Sequence, residues 1–74
     1  MLETLKESSL QEAQVALQAS PEFALRGLMV ERVDGKLLLS GTVSSFYQKQ
    51  LAQEVVRSVA QGLDVVNSVR VIPR

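Results

Sequence analysis

Leu28–Val43 reads LMVERVDGKLLLSGTV, and the two residues at its centre decide the fold. Asp34-Gly35 stands between two apolar runs, and Asp-Gly is a strong signal for a two-residue hairpin loop. Both central positions of a type I′ turn need positive φ, which Gly takes freely and Asp tolerates. Such a loop pairs Val33 with Lys36, Arg32 with Leu37, Val30 with Leu39 and Leu28 with Gly41. One face then carries Leu28, Val30, Leu37, Leu39 and Val43 and should meet the helices. The other carries Met29, Glu31, Val33, Lys36, Leu38, Ser40 and Thr42. Arg32 shares the apolar face near the hairpin end, where its stem can reach water.

Upstream, an amphipathic helix is expected within Thr4 to Ala19. Leu2, Leu5, Leu10, Ala13, Ala16 and Leu17 share one side of the wheel, and Val15 falls on the opposite side. Two capping boxes compete for its start, Thr4 with Glu7 and Ser9 with Glu12. Ser20-Pro21-Glu22 ends it and reads as a new start, with Ser20 as N-cap and Pro21 in the first helical position. A single turn should follow, carrying Phe23 and Leu25 into the core.

Downstream, Ser45 and Gln48 make a capping box for a second helix, with Leu51, Ala52, Val55, Val56 and Val59 as its apolar stripe. Gln50, Gln53, Glu54, Arg57 and Gln61 form its wet side, and Gly62 is placed to cap its end. A last strand covers about Val65 to Ile72 and stops at Pro73. Val65, Asn67, Val69 and Val71 face the core, and Val66, Ser68, Arg70 and Ile72 face away.

The expected fold is α+β: an α-β-β-α-β two-layer sandwich, a three-stranded mixed sheet with both helices on one face. The helical crossover suits a parallel direction for the second and third strands. Placing the first strand between them makes each neighbouring pair antiparallel, and that placement is the one expected.

Composition narrows function mainly by exclusion. Seventy-four residues make one small domain, 1–74, with a modest core. Eight basic and eight acidic residues cancel, so nothing draws the chain to a phosphate backbone, and no nucleic acid is expected as partner. Cysteine and histidine are both absent, which removes disulfides, thiolate nucleophiles, imidazole bases and the usual zinc ligands. No cofactor, metal or catalytic residue is expected, and the chain does not read as an enzyme. No run approaches the roughly 20 apolar residues that span a bilayer. The start, MLETLKESSL, lacks the basic flank and apolar stretch of a signal peptide. This leaves a cytosolic protein or a piece of something larger.

The glycines read as structural: Gly35 for the turn, Gly41 where a helix comes close to the strand, Gly62 as a cap. Asn67, on the core side, should tie the strand start to the loop before it. Glu31 and Asp34 have no partner base and read as solvated surface. Two features remain for binding. One is the uncovered sheet face, with Met29, Val33, Leu38, Val66 and Ile72 among Glu31, Lys36 and Arg70. The other is Phe46, in the polar arc of the second helix, with Tyr47 at its edge. First-turn aromatics either fold back onto neighbouring loops or stay exposed to touch a membrane interface or a partner.

These segments together resemble the BON domain, the bacterial OsmY and nodulation family. The resemblance rests on LMVERVDG, KLLLSGTVSS, LAQEVVRSVA and GLDVVNSVRV in that order, with ALQASPEF fitting the end of the first helix. It covers nearly the whole chain, with Val56 where the family often has Ala and one extra residue before Gly62. The resemblance implies the α/β sandwich already reached, and no catalytic residues. It also implies a bacterial envelope or periplasmic setting, often linked to osmotic stress, and binding of phospholipid or another envelope component. On that basis the expected function is a non-enzymatic binding module, with Phe46, Tyr47, Met29, Val33, Leu38 and Ile72 as candidate lipid or partner contacts. The alternative is a protein assembly or self-association module using the open face or a strand edge. An RNA-binding module ranks below both, since the chain has no Gly-x-x-Gly clamp and no basic surplus.

Overall fold

A computed structural model describes residues 2–73, with side chains from residue 9 onward. Helix α1 spans Leu2–Gln18 and is followed by a 3-10 turn, Phe23–Gly27. Strands β1 (Met29–Val33), β2 (Lys36–Ser40) and β3 (Thr42–Val43) lead into α2 (Phe46–Ser58). Strands β4 (Asp64–Asn67) and β5 (Arg70–Val71) close the chain.

The hairpin forms as its sequence dictates. Asp34 and Gly35 take φ of 51° and 74°, and the ladder runs from Val33↔Lys36 to Met29↔Ser40 in the expected register. Leu28, Val30, Leu37, Leu39 and Val43 are all buried, while Met29, Glu31, Val33, Lys36 and Thr42 are exposed. Gly41 is held close by a strand neighbour and not by a helix. A Cβ there would sit 2.6 Å from Leu28 Cδ2, across the hairpin, and the residue has φ of +126°.

Strand order differs from expectation. The sheet runs β1-β2-β4, so β2 and not β1 is central. β1 pairs β2 antiparallel, and β2 pairs β4 in parallel, with Leu37↔Val65 and Leu38↔Val66. The physical reason lies in the strands themselves. Leu37-Leu38-Leu39 is apolar on both faces and suits a central strand, whereas Glu31 and Arg32 suit an edge. The crossover through α2 then sets two parallel strands side by side, as in a βαβ unit. The ladder continues beyond both interruptions. Ser68, Arg70 and Ile72 donate their N–H groups to the carbonyls of Leu39, Gly41 and Val43 at 2.8, 2.9 and 2.8 Å. The last strand therefore breaks at Ser68-Val69 without losing register, and its alternation holds: Val69 is buried and Val66, Ser68, Arg70 and Ile72 are exposed.

Both helices lie on one face of the sheet. Ala13 and Leu17 from α1, and Ala52 and Val56 from α2, join Leu25, Leu37, Leu39 and Val69 in one aliphatic core. The start of α1 is earlier than either capping box. The helix is already running at Leu2, so neither Thr4 nor Ser9 is its N-cap, and Ser9 is buried inside it. The expectations for the side chains of Leu2, Leu5, Thr4 and Glu7 fall outside the described residues. Val15 is exposed as its wheel position requires.

The segment after α1 departs from the reading in two ways. Ser20 Oγ accepts from the Glu22 N–H at 3.1 Å, and the helical turn starts at Phe23, with Glu22 and not Ser20 at the cap. Leu25 is fully buried, but Phe23 is 77 % exposed. A 3-10 turn advances about 120° per residue, so Phe23 and Leu25 cannot face the same way.

At α2, Ser45 is the N-cap and accepts from the Gln48 N–H at 3.2 Å. The returning contact of the box lands one residue early, because Gln48 Oε1 accepts from Ser44 N–H and Ser44 Oγ. The helix ends at Ser58 with Val59 as its C-cap, so Gly62 is not the cap. Gln61 and Gly62, with φ of 51° and 87°, form a separate tight turn closed by Leu63 N–H on the Ala60 carbonyl at 3.1 Å.

Candidate functional site

The core contains no aromatic ring. The chain has two Phe, one Tyr and no Trp, and Phe23, Phe46 and Tyr47 are 77 %, 75 % and 68 % exposed. They stand on two adjoining turns. Phe23 opens the 3-10 turn, while Phe46 and Tyr47 open α2. A cleft of about 600 Å³ joins the two turns, lined by Glu22, Phe23, Ala24, Gly27, Thr42, Val43, Ser44, Gln48, Ile72 and Pro73. Gln48, the third residue of α2, reaches across to the Glu22 carboxylate at 3.5 Å.

Local rules explain why these rings stay outside. In a 3-10 turn residues i and i+3 eclipse, which places Arg26 beside Phe23. The Arg26 guanidinium carbon lies 5.5 Å from the ring centroid, and its Nε donates to the Ser20 carbonyl at 2.9 Å. Phe23 is thus fixed outward by a cation on its face. Phe46 and Tyr47 occupy the first turn of α2, and neither folds back into the core. The signal for Phe23 was available in the sequence: Phe23 and Arg26 stand three apart, as do Leu25 and Leu28.

Ile72 belongs to the cleft. By alternation it lies on the open sheet face, yet it lines the cleft with Phe23. It stands about 20 Å along the strand from Val66, at roughly 3.3 Å per residue.

The other candidates form a second, separate surface. On the open face Leu38 is half-buried, with Glu31 opposite it on β1 and Val66 opposite it on β4. Met29 and Val33 are its diagonal neighbours on β1, 55 % and 41 % exposed. Lys36 and Asp64 lie side by side in the next row. The structure therefore splits the six sequence candidates into Ile72 in the cleft, with Phe46 and Tyr47 opening the helix beside it but not lining it, and Met29, Val33 and Leu38 on the sheet.

Asn67 is structural, though its partners are not the loop before the strand. Its Nδ2 donates to the Lys49 carbonyl at 3.0 Å and to Gln53 Oε1 at 3.2 Å. Its Oδ1 accepts from Val69 N–H at 3.1 Å. The amide thus ties the strand break to α2. Among the described residues no buried side-chain polar atom lacks a partner, and no group of three or more acidic residues is placed to hold a metal ion. No described helix is long and apolar enough to cross a membrane.

The residues now given structural roles, from the Asp34-Gly35 turn through Ser40-Gly41 to Asn67, are the ones that carry the family resemblance. A family model described as the BON domain matches residues 9–73. No curated protein matches the chain. With an α+β fold of the expected layers and a match over nearly its whole length, the chain belongs to the BON domain family.

Proposed function

We propose that this BON domain is a non-enzymatic module that docks on a phospholipid surface through the turns and cleft bearing Phe23, Phe46, Tyr47 and Ile72. A binding role agrees with the family, whose members are binding modules. The observation that carries the lipid reading is that every aromatic ring lies outside the core, on two turns that Gln48 and Glu22 bridge. A domain this small normally uses its rings to enlarge its core. Here they are spent on the surface.

Aromatic rings partition into the headgroup layer, where an apolar body and a polar edge are both accommodated. Phe23, Phe46 and Ile72 supply the apolar area, and Tyr47 has a hydroxyl to leave at the water side. Arg26 is held against Phe23 and would meet lipid phosphate as the ring enters. Net charge is zero, so long-range attraction to anionic lipid contributes little, and apolar burial carries the affinity. Binding should be weak, reversible and only mildly dependent on salt.

Co-sedimentation with vesicles of phosphatidylcholine and phosphatidylglycerol tests this. Phe23→Ala and Phe46→Ala should each reduce bound protein by about tenfold in affinity, the loss of one ring's burial. Leu38→Ser should leave binding unchanged. If the wild type binds neither lipid, the lipid reading is wrong. If Leu38→Ser abolishes binding and the ring variants do not, the sheet face is the site. Loss of a second protein's binding on Leu38→Ser would point instead to assembly.

A further inference from the structure

We propose that the outer edge of β1 is an interaction surface for the β1 strand of a second copy of this chain, and that Gln14 holds it closed in the isolated protein. β1 is the end strand of the sheet. Residues along an antiparallel strand point their N–H and C=O groups alternately toward and away from the partner. Val30 N–H does not bond β2; it donates to Gln14 Oε1 at 3.1 Å. Val30 and Arg32 therefore turn their backbone groups outward, as does the Leu28 carbonyl, while the Leu28 N–H donates to the Leu25 carbonyl at 3.2 Å.

Gln14 treats this edge as a neighbouring strand would. Its Nε2 donates to the Leu28 carbonyl at 3.1 Å while its Oε1 accepts from Val30 N–H. That is one amide engaging residues on either side of Met29, the pattern of a parallel strand residue. The edge is capable of pairing, and a side chain of α1 occupies it. Unpaired edges invite pairing with another chain, and proteins commonly block them.

The charges on β1 select the register. Two copies of β1 paired about a twofold axis must set outward residues opposite outward residues. Centring on Glu31 sets Glu31 against its own copy, and centring on Arg32 sets two arginines together; like charges directly opposite are unfavourable. Centring on Val30 gives Val30 opposite Val30, Leu28 opposite Arg32 and Met29 opposite Glu31, with no like pair. A Met29-centred pairing is also free of like charges, but it is shorter, because the chain turns away before Gly27. The Val30 register needs the Leu28 carbonyl and Val30 N–H, the two groups Gln14 holds. Charge excludes the other registers of useful length, and Gln14 guards the one that remains.

Sedimentation of the full chain over a concentration series tests this. Gln14→Ala should self-associate about tenfold more tightly than wild type, since it frees the two edge groups. In the Val30 register residue 29 faces Glu31 of the other copy, twice per dimer. Met29→Lys should therefore strengthen dimerisation and Met29→Glu should weaken it, in the wild-type background as well as with Gln14→Ala. The chain is neutral, so these two changes alter net charge equally and differ only in sign. Val30 amide exchange should be slow in wild type, fast in monomeric Gln14→Ala, and slow again in its dimer. Equal behaviour of the lysine and glutamate variants would overturn the register. A folded Gln14→Ala that associates no more than wild type would overturn the latch. Should Gln14→Ala fail to fold, the two Met29 variants alone decide.

Discussion

Gly41 is the position where a single atom matters most. Its φ of +126° lies in the region L side chains avoid, and a Cβ would meet Leu28 Cδ2 at 2.6 Å and Leu28 Cα at 3.5 Å. Leu28 is itself 2 % exposed and has no room to retreat. Gly41→Ala should cost about 2 kcal/mol from backbone strain and displacement of Leu28, lowering the Tm by roughly 10 °C for a domain of this size. A thermal melt followed by far-UV circular dichroism reads it directly. The need for glycine there was legible in the sequence, because the two-residue loop already pairs Leu28 with Gly41. What was misjudged was the neighbour: a helix was expected where the opposing strand itself comes close. Phe23 failed for a different reason. Its apolar character groups it with Leu25, but two residues along a 3-10 turn point to different sides.

At the scale of elements, the turn geometry and the side-chain alternation were written locally, and the order of strands was not. Each strand's parity follows from its own residues, so the buried and exposed sets came out correctly. Adjacency depends on which strand can tolerate neighbours on both sides, and Leu37-Leu38-Leu39 answers that only when weighed against Glu31 and Arg32. The end of α2 shows a similar limit. Gly62 has the residue type of a helix cap, yet the helix stops at Val59 and the chain reverses again at Gln61-Gly62. Gln61 holds φ of +51° without being glycine or asparagine. Gln61→Gly should therefore stabilise the protein by about 0.5–1 kcal/mol, since glycine takes this conformation without strain. Chemical denaturation should show a higher midpoint at an unchanged slope. An unchanged midpoint would mean that the strain is already relieved by the turn's hydrogen bond.

Over the whole molecule, stability and surface chemistry are carried by different residues. The core is aliphatic, built from Leu, Val and Ala, while the rings stand outside it. Phe23→Ala and Phe46→Ala should accordingly leave folding stability within about 0.5 kcal/mol of wild type, as surface changes do. Leu39→Ala, at a fully buried position of the central strand, should cost about 3 kcal/mol, a large share of what so small a domain has. Urea titrations of the three variants would show the contrast, and a large loss for either Phe variant would place its ring in the packed interior after all. The same separation decides what light can report about this protein. Tyr47 is the one tyrosine, with no tryptophan beside it, and it stands in solvent at the proposed contact surface. Its emission is a label-free signal for docking there and a poor one for unfolding, because its surroundings change little when the core opens. Methyl resonances from the interior, unshifted by ring currents, would crowd together even in a fully ordered protein, and their narrow spread should not be taken for a molten state.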